Sequence, residues 1–249
     1  MFHAILGIIQ GLTEFLPVSS SGHLVLFSRL FDVERSQILA VIIVCHIGTL
    51  FALLCFFARD ILRMLKDSAV ITQIFIVTLI TGVIVLAGRN FFESLFQRPA
   101  IVCLALLVTA VFLILTKRFT RGRRGIFALN FKDAFWLGIA QGLAVVPGIS
   151  RSGITIFSLL ARGVAPEAAF KFSFIAGIPA ILGTFLLEAK QIGISFNSHP
   201  ANFWLALGMS YLFGLLGLFI LKQAVKSLQL HYFGFYLVPA SILGFMFIR

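Results

Sequence analysis

The stretch QGLTEFLPVSSSG at residues 10–22 returns, without a gap, as QGLAVVPGISRSG at residues 141–153. Gln10 pairs with Gln141, Gly11 with Gly142, Ser19 with Ser150, Ser21 with Ser152 and Gly22 with Gly153. Each copy is followed by a short apolar stretch and then three long apolar runs. That order divides one membrane domain, residues 1–249, into two repeats of similar design, roughly 1–116 and 133–249, joined by the basic stretch 117–132.

The chain is 60% hydrophobic and 12% charged, with a mean hydropathy of +1.06, which lies outside the range of soluble domains. The runs 38–57, 70–87, 100–115, 172–187, 203–220 and 233–248 approach the length of about 20 residues that crosses the hydrocarbon core. They are continuous rather than alternating, which argues against barrel strands. The fold class is therefore an all-α polytopic membrane protein with six transmembrane helices. The apolar flanks of the two polar segments, residues 2–9 and 134–140, are too short to span. Both suit re-entrant helical hairpins, because irregular backbone at membrane depth is tolerated only where it lines a cavity. No basic region precedes the first flank and no small-residue cleavage pattern follows it, so it reads as retained structure. Cys45, Cys55 and Cys103 are spaced like neither a zinc site nor a redox pair and read as small buried apolar residues.

A formal charge of +11 would suit a nucleic-acid binder, but the basic residues sit in short loops between apolar runs. Loops 59–66, 117–132 (with Lys117, Arg118, Arg121, Arg123, Arg124 and Lys132), 162–171 and 222–226 carry most of them, which places these loops in the cytoplasm. Segments 29–37, 89–98 and 190–202 carry fewer and go outside. The first hairpin then enters from outside and the second from the cytoplasm, so the repeats are inverted and both termini lie outside. Broken helices meeting near the midplane are known from transporters.

Within the polar segments, Glu14 is a carboxylate deep in apolar sequence, where an unpaired charge is expensive. Gln10 and Glu14 are spaced i, i+4 on one helix face, either as hard oxygen ligands for a divalent cation or as a pair closing a helix end. Pro17 ends that helix, and Ser19, Ser20, Ser21 and Gly22 present hydroxyls and free N–H groups at the start of the next, a terminus that attracts anions. His23 can share a face with Ser20 and act as its base or as an acid for a leaving group. In the second copy Pro147 and Gly148 break the chain before Ser150, Arg151, Ser152 and Thr155. Arg151 is far from any basic loop and suits a bidentate grip on phosphate. Meeting hairpins would bring Arg151 opposite Glu14, Ser20 and His23. His46, Thr49 and an interfacial Glu188 are weaker candidates.

Gln10, Glu14, PVSSSGH at 17–23 and PGISRSG at 147–153 carry a resemblance to the undecaprenyl-diphosphatase family, also known for bacitracin resistance. HIGTL at 46–50 and EAAFKFSFIAGIPAILG at 167–183 extend the resemblance over most of the chain. It implies hydrolysis of a polyprenyl diphosphate lipid to the monophosphate and inorganic phosphate, recycling the carrier for cell-wall glycan synthesis. The site would open at the outer side of the cytoplasmic membrane and use a divalent cation, Mg²⁺ or Ca²⁺. By position, Gln10 and Glu14 would handle metal or a proton, Ser20 would be the nucleophile, His23 its acid/base partner and Arg151 the diphosphate clamp. Ser19, Ser21, Ser150, Ser152 and Thr155 would line the pocket. A homodimer is also implied. The first position of the family's acidic box is Gln10 here rather than a second carboxylate. Whether Ser20 attacks phosphorus or orients water stays open at this level. A polyprenyl-phosphate flippase built on the same repeats is the alternative function.

Overall fold

The computed structural model describes residues 2–30, 35–119, 122–188 and 200–247, with side chains at 2–27, 41–119, 122–183 and 202–246. Helices α1 (Phe2–Phe15) and α2 (Ser20–Leu30) flank the first polar segment. They are followed by α3 (Arg35–Met64), α4 (Ser68–Ala87), the short α5 (Arg89–Leu95) and α6 (Pro99–Leu115). After two 3₁₀ turns come α7 (Phe131–Leu143) and α8 (Arg151–Ala161) around the second polar segment, then α9 (Pro166–Glu188), α10 (Pro200–Lys226) and α11 (His231–Phe247). Among the described residues the only β pairing is an isolated bridge between Arg124 and Val164.

Four helices among the described residues are long and apolar enough to cross a membrane: Val41–Met64, Ser68–Ala87, Pro99–Arg118 and Asn202–Lys226. The run at 233–248 forms a shorter apolar helix, and the run at 172–187 lies in α9, whose last side chains fall outside the described residues, Glu188 among them. The side chains of 29–37 and most of 190–202 fall outside them too, as does Arg121. Phe75, Leu79, Val83 and Leu86 on α4, and Leu104, Val108 and Val111 on α6, are exposed at helical spacing. Apolar stripes of that kind are stable facing acyl chains and costly facing water. Cys45 and Cys103 are buried as read from sequence, whereas Cys55 lies on this outer surface. A thiol is apolar enough to face lipid as readily as core.

Local chemistry sets the helix ends. Asp67 caps α4 by accepting from the N–H groups of Ala69 and Val70, Pro99 opens α6, and Asn130 with Asp133 forms a reciprocal capping box at α7. Helices then recur at one interval. Ser20 and Arg151 open α2 and α8 at the same spacing that separates Gln10 from Gln141, and α3, α4 and α6 are followed at that spacing by α9, α10 and α11. Among the described residues α5 has no counterpart.

The packing is interleaved: α1 lies on α10, α7 lies on α4, and α6 lies on α11. Glycines permit the first two contacts. A Cβ at Gly11 would stand 2.8 Å from the Ser210 carbonyl oxygen, and one at Gly138 would stand 2.8 Å from Ile80 Cβ. Gly7 and Gly11 on α1, and Gly138 and Gly142 on α7, are each four residues apart, the small-residue spacing that lets membrane helices approach closely. Phe15, Phe57, Phe170 and Phe174 fill the core between α1, α3 and α9, with ring centroids 5.3 Å apart for Phe57–Phe170 and 5.6 Å apart for Phe15–Phe174.

At one end the basic loops are tied together. Asp133, with no exposed side-chain surface, binds Arg124 at 2.8 and 3.0 Å and Arg162 at 2.5 Å. Lys171 reaches Asp60 at 2.9 Å, and Lys222 lies over the Phe56 ring. Burial alone would raise the Asp133 carboxyl, but hydrogen bonds from Arg124, the Asn130 N–H and Arg162 hold it below the usual carboxylate range.

Candidate active site

The two polar loops cross in contact. A Cβ at Gly22 would lie 3.1 Å from Gly148 Cα, and one at Gly153 would lie 3.4 Å from Pro17 Cβ. Pro17 and Gly148 are counterparts in the gapless alignment, as are Gly22 and Gly153, so the contact is reciprocal. Each loop ends in a serine cap: Gly22 N–H donates to Ser19 Oγ at 3.3 Å and Gly153 N–H donates to Ser150 Oγ at 3.2 Å. Hydroxyls then pair within each loop, Ser19 with Ser21 at 3.4 Å and Ser150 with Ser152 at 3.2 Å. Two helix N-termini therefore face one place, a favourable setting for an anion.

The loops differ in backbone. Ser19 has φ +65°, whereas the second loop takes its left-handed residue at Gly148, φ +99°, where a side chain would strike the Val102 carbonyl. Thr109 of α6 pins the second loop, donating to the Gly148 carbonyl at 2.9 Å and accepting from Ser150 N–H at 3.1 Å.

Glu14 is the hub. Its Oε1 accepts from Arg151 Nη2 at 2.8 Å, and its Oε2 accepts from Ser20 Oγ at 2.8 Å and from Gln10 Nε2 at 3.0 Å. His46 Nε2 stands 3.6 Å from the same Oε2. The carboxylate is only 12% exposed, and these partners offset its desolvation as a buried charge requires. Gly177 of α9 leaves the room: a Cβ there would be 3.4 Å from Gln141 Oε1 and 3.7 Å from Arg151 Nη1.

A cavity of about 660 Å³ opens beside this hub. Glu14, Ser19, Ser20, Ser21, Ser150 and Arg151 form its polar wall, with His46 and Gln141. Val85, Leu86, Phe92 and Ile181 line its apolar side, and Arg89 and Glu93 stand at the α5 end. Gln10, His23, Ser152 and Thr155 lie outside that wall. Thr155 ties α8 to α9 through Ser173 Oγ at 2.6 Å. The sequence spacing sets His23 against Ser20. Instead its ring turns back along α2, with Nδ1 at 2.9 Å from the Ser19 carbonyl oxygen and Nε2 at 2.9 Å from Tyr236 Oη. The group on the Ser20 hydroxyl is Glu14, and the imidazole beside it is that of His46. Gln141, whose Nε2 donates to Thr81 Oγ1 at 3.2 Å, was missed although it heads the second repeat. Its place in the repeat was the available signal.

No group of three or more His, Cys, Asp or Glu side chains suited to a metal occurs among the described residues. Among the described residues Gln10 Oε1 is buried without a hydrogen-bond donor, while Gln10 Nε2 donates to Glu14. With the amide turned over, one carboxylate and one amide oxygen would suit a hard cation whose remaining ligands are water and substrate oxygens, as Mg²⁺ commonly takes.

Among the described residues, fold and site define a multi-pass, helical membrane protein with a polar centre beside a cavity that is apolar on its other side. The family described as bacitracin resistance protein BacA matches residues 3–243, and the chain belongs to it. An undecaprenyl-diphosphatase of Thermosipho africanus is 37% identical, covering 98% of this chain and 99% of that protein. One from Carboxydothermus hydrogenoformans is 44% identical over 80% of this chain and 75% of its own length. One from Methanococcus vannielii is 34% identical over the full length of both.

Proposed function

We infer that the chain hydrolyses undecaprenyl diphosphate to undecaprenyl phosphate and inorganic phosphate, returning the lipid carrier to cell-wall glycan synthesis. The observation that carries the reading is the Ser20 hydroxyl bonded to Glu14 at 2.8 Å while Arg151 grips the other carboxylate oxygen. Ser20 Oγ attacks the terminal phosphorus as Glu14 accepts its proton. The bond from phosphorus to the bridging oxygen breaks, and undecaprenyl phosphate leaves with the electron pair. Water then attacks the phosphoserine, releasing inorganic phosphate and restoring the hydroxyl. Arg151 and the N–H groups opening α2 and α8 stabilise charge on the non-bridging oxygens. A divalent cation, Mg²⁺ or Ca²⁺, held by Glu14 and Gln10 would supply further charge neutralisation to the diphosphate.

The arrangement is read as six spans with two re-entrant hairpins in inverted repeats. Its support is the constant helix interval, the reciprocal loop contact, and the matched pairing of α1 with α10 and α7 with α4. The cavity is read as opening outward from the cytoplasmic membrane. Arg89 and Phe92 on its wall follow the C-terminal end of α4, and the basic loops gather at the other end. A homodimer is the assembly the family resemblance implies, and sedimentation in detergent tests it.

Purified protein in detergent, given the lipid diphosphate labelled at its terminal phosphate, should release labelled phosphate and pass through a rapidly quenched labelled protein. Label that never enters the protein, or a Ser20→Ala variant with normal turnover, would remove the phosphoserine step. A flippase needs no hydroxyl bonded to a carboxylate, and lipid movement across liposomes without phosphate release is the outcome that would favour it.

A further inference from the structure

We propose that Tyr236 is a positioning residue for Ser20, acting through His23 and the backbone of Ser19. The inference rests on the phosphatase reading and deepens it. Ser19 holds the left-handed conformation, φ +65°, which side-chain-bearing residues keep only when their surroundings impose it. Its carbonyl accepts from His23 N–H at 3.1 Å and faces His23 Nδ1 at 2.9 Å, so the ring holds the peptide that links Ser19 to Ser20. A carbonyl only accepts, so Nδ1 carries the proton, and Nε2 of the neutral ring is left as an acceptor. The Tyr236 hydroxyl, 2.9 Å away, donates to it.

Tyr236 reaches His23 from a different and well-anchored helix. Its ring lies nearly parallel to the imidazole, at 11° and 5.8 Å between centroids. Ser241 of α11 donates to the Cys103 carbonyl at 2.7 Å, which fixes α11 on α6. Half of Tyr236 is exposed on an apolar outer surface, where a hydroxyl without a partner is costly. The relay therefore runs from the Tyr236 O–H to His23 Nε2, and from His23 Nδ1–H to the Ser19 carbonyl. The next residue is Ser20, whose hydroxyl must stay on Glu14. Without the phenol the imidazole loses the donor that holds its Nε2 side, and the ring and the Ser19 peptide it bonds are freer to shift.

The test is steady-state phosphate release by purified protein with Tyr236→Phe, His23→Ala and the double variant. Tyr236→Phe keeps the ring and should lower kcat about 10-fold or more with KM within about twofold, as displacing a reacting group by a fraction of an ångström does. In the His23→Ala background it should cost less than about twofold more, because its effect runs through His23. An equal loss in both backgrounds, or a full kcat in Tyr236→Phe, overturns the proposal. Histidine ¹⁵N NMR gives a readout independent of turnover: His23 should be the Nδ1–H tautomer in the unaltered protein, and its Nε2 resonance should shift in Tyr236→Phe on loss of the hydroxyl donor. An Nε2–H tautomer in the unaltered protein also overturns it. If the unaltered protein releases no phosphate, the phosphatase reading fails while the NMR result still decides the Tyr236–His23 relation.

Discussion

Arg151 Nη2 and Glu14 Oε1 lie 2.8 Å apart although 137 positions separate them in the chain. This bond joins the two repeats at their polar centre and leaves each partner poised for another role, Arg151 toward phosphate and Glu14 toward the Ser20 proton. Arg151→Ala is expected to lower turnover by more than about 10²-fold, the usual cost of losing a charge that stabilises the transition state. It also strips a buried carboxylate of its cation, so thermal stability should fall. Adding Glu14→Gln should restore stability but not phosphate release, and a double variant that stays unstable would separate this pair from the fold.

The His46 imidazole stands over Glu14 from α3, with Nε2 3.6 Å from Oε2. A polar side chain of similar reach keeps that neighbour for the buried carboxylate, so His46→Gln should keep turnover within about fivefold, and His46→Leu should lose about 10-fold or more. Equal kinetics for the two variants would take His46 out of the site.

Gly82 of α4 lines the cavity on its apolar side, and a Cβ there meets nothing within 4 Å among the described residues. Gly82→Leu should therefore fold normally while filling space that a prenyl tail would use. The expected outcome is a KM raised for the long lipid diphosphate with little change for a short prenyl diphosphate. A parallel rise for both would place the tail elsewhere.

Asp133 binds two guanidiniums and the Asn130 N–H at the end of the molecule away from the cavity. Its folded-state pKa lies below the unfolded value of about 4, so its contribution to stability is present above about pH 4 and lost as pH falls below it. Asp133→Asn should cost roughly 1–3 kcal/mol at neutral pH, because it removes the charge that two part-exposed guanidiniums share, and should flatten the acid limb of a stability–pH curve. Denaturant melts of both proteins from pH 3 to pH 7 measure this.

The polar segments and apolar runs made the helical membrane fold, the broken helices and the Glu14–Arg151 meeting legible from residues alone. They are short-range patterns, or charges whose burial demands a partner. The turn of His23 toward Tyr236 was not legible, since i, i+3 spacing tells which face a side chain shares but not which acceptor claims its ring. His46 stood in an apolar run with only α3 for context, and its approach to Glu14 depends on how α3 packs on α1. The close-packing glycines Gly7, Gly11, Gly138 and Gly142 were legible in principle, because the spacing of four recurs in both copies.

Helix α1 is synthesised well before α10, yet α10 is its main partner. Its glycine face, and with it the register of Glu14, has to wait until most of the chain has been synthesised. A nascent chain halted before α10 holds Ser20 and Glu14 without the helix that seats them. In such a chain the Gly7–Gly11 face of α1 is left without the backbone it packs against.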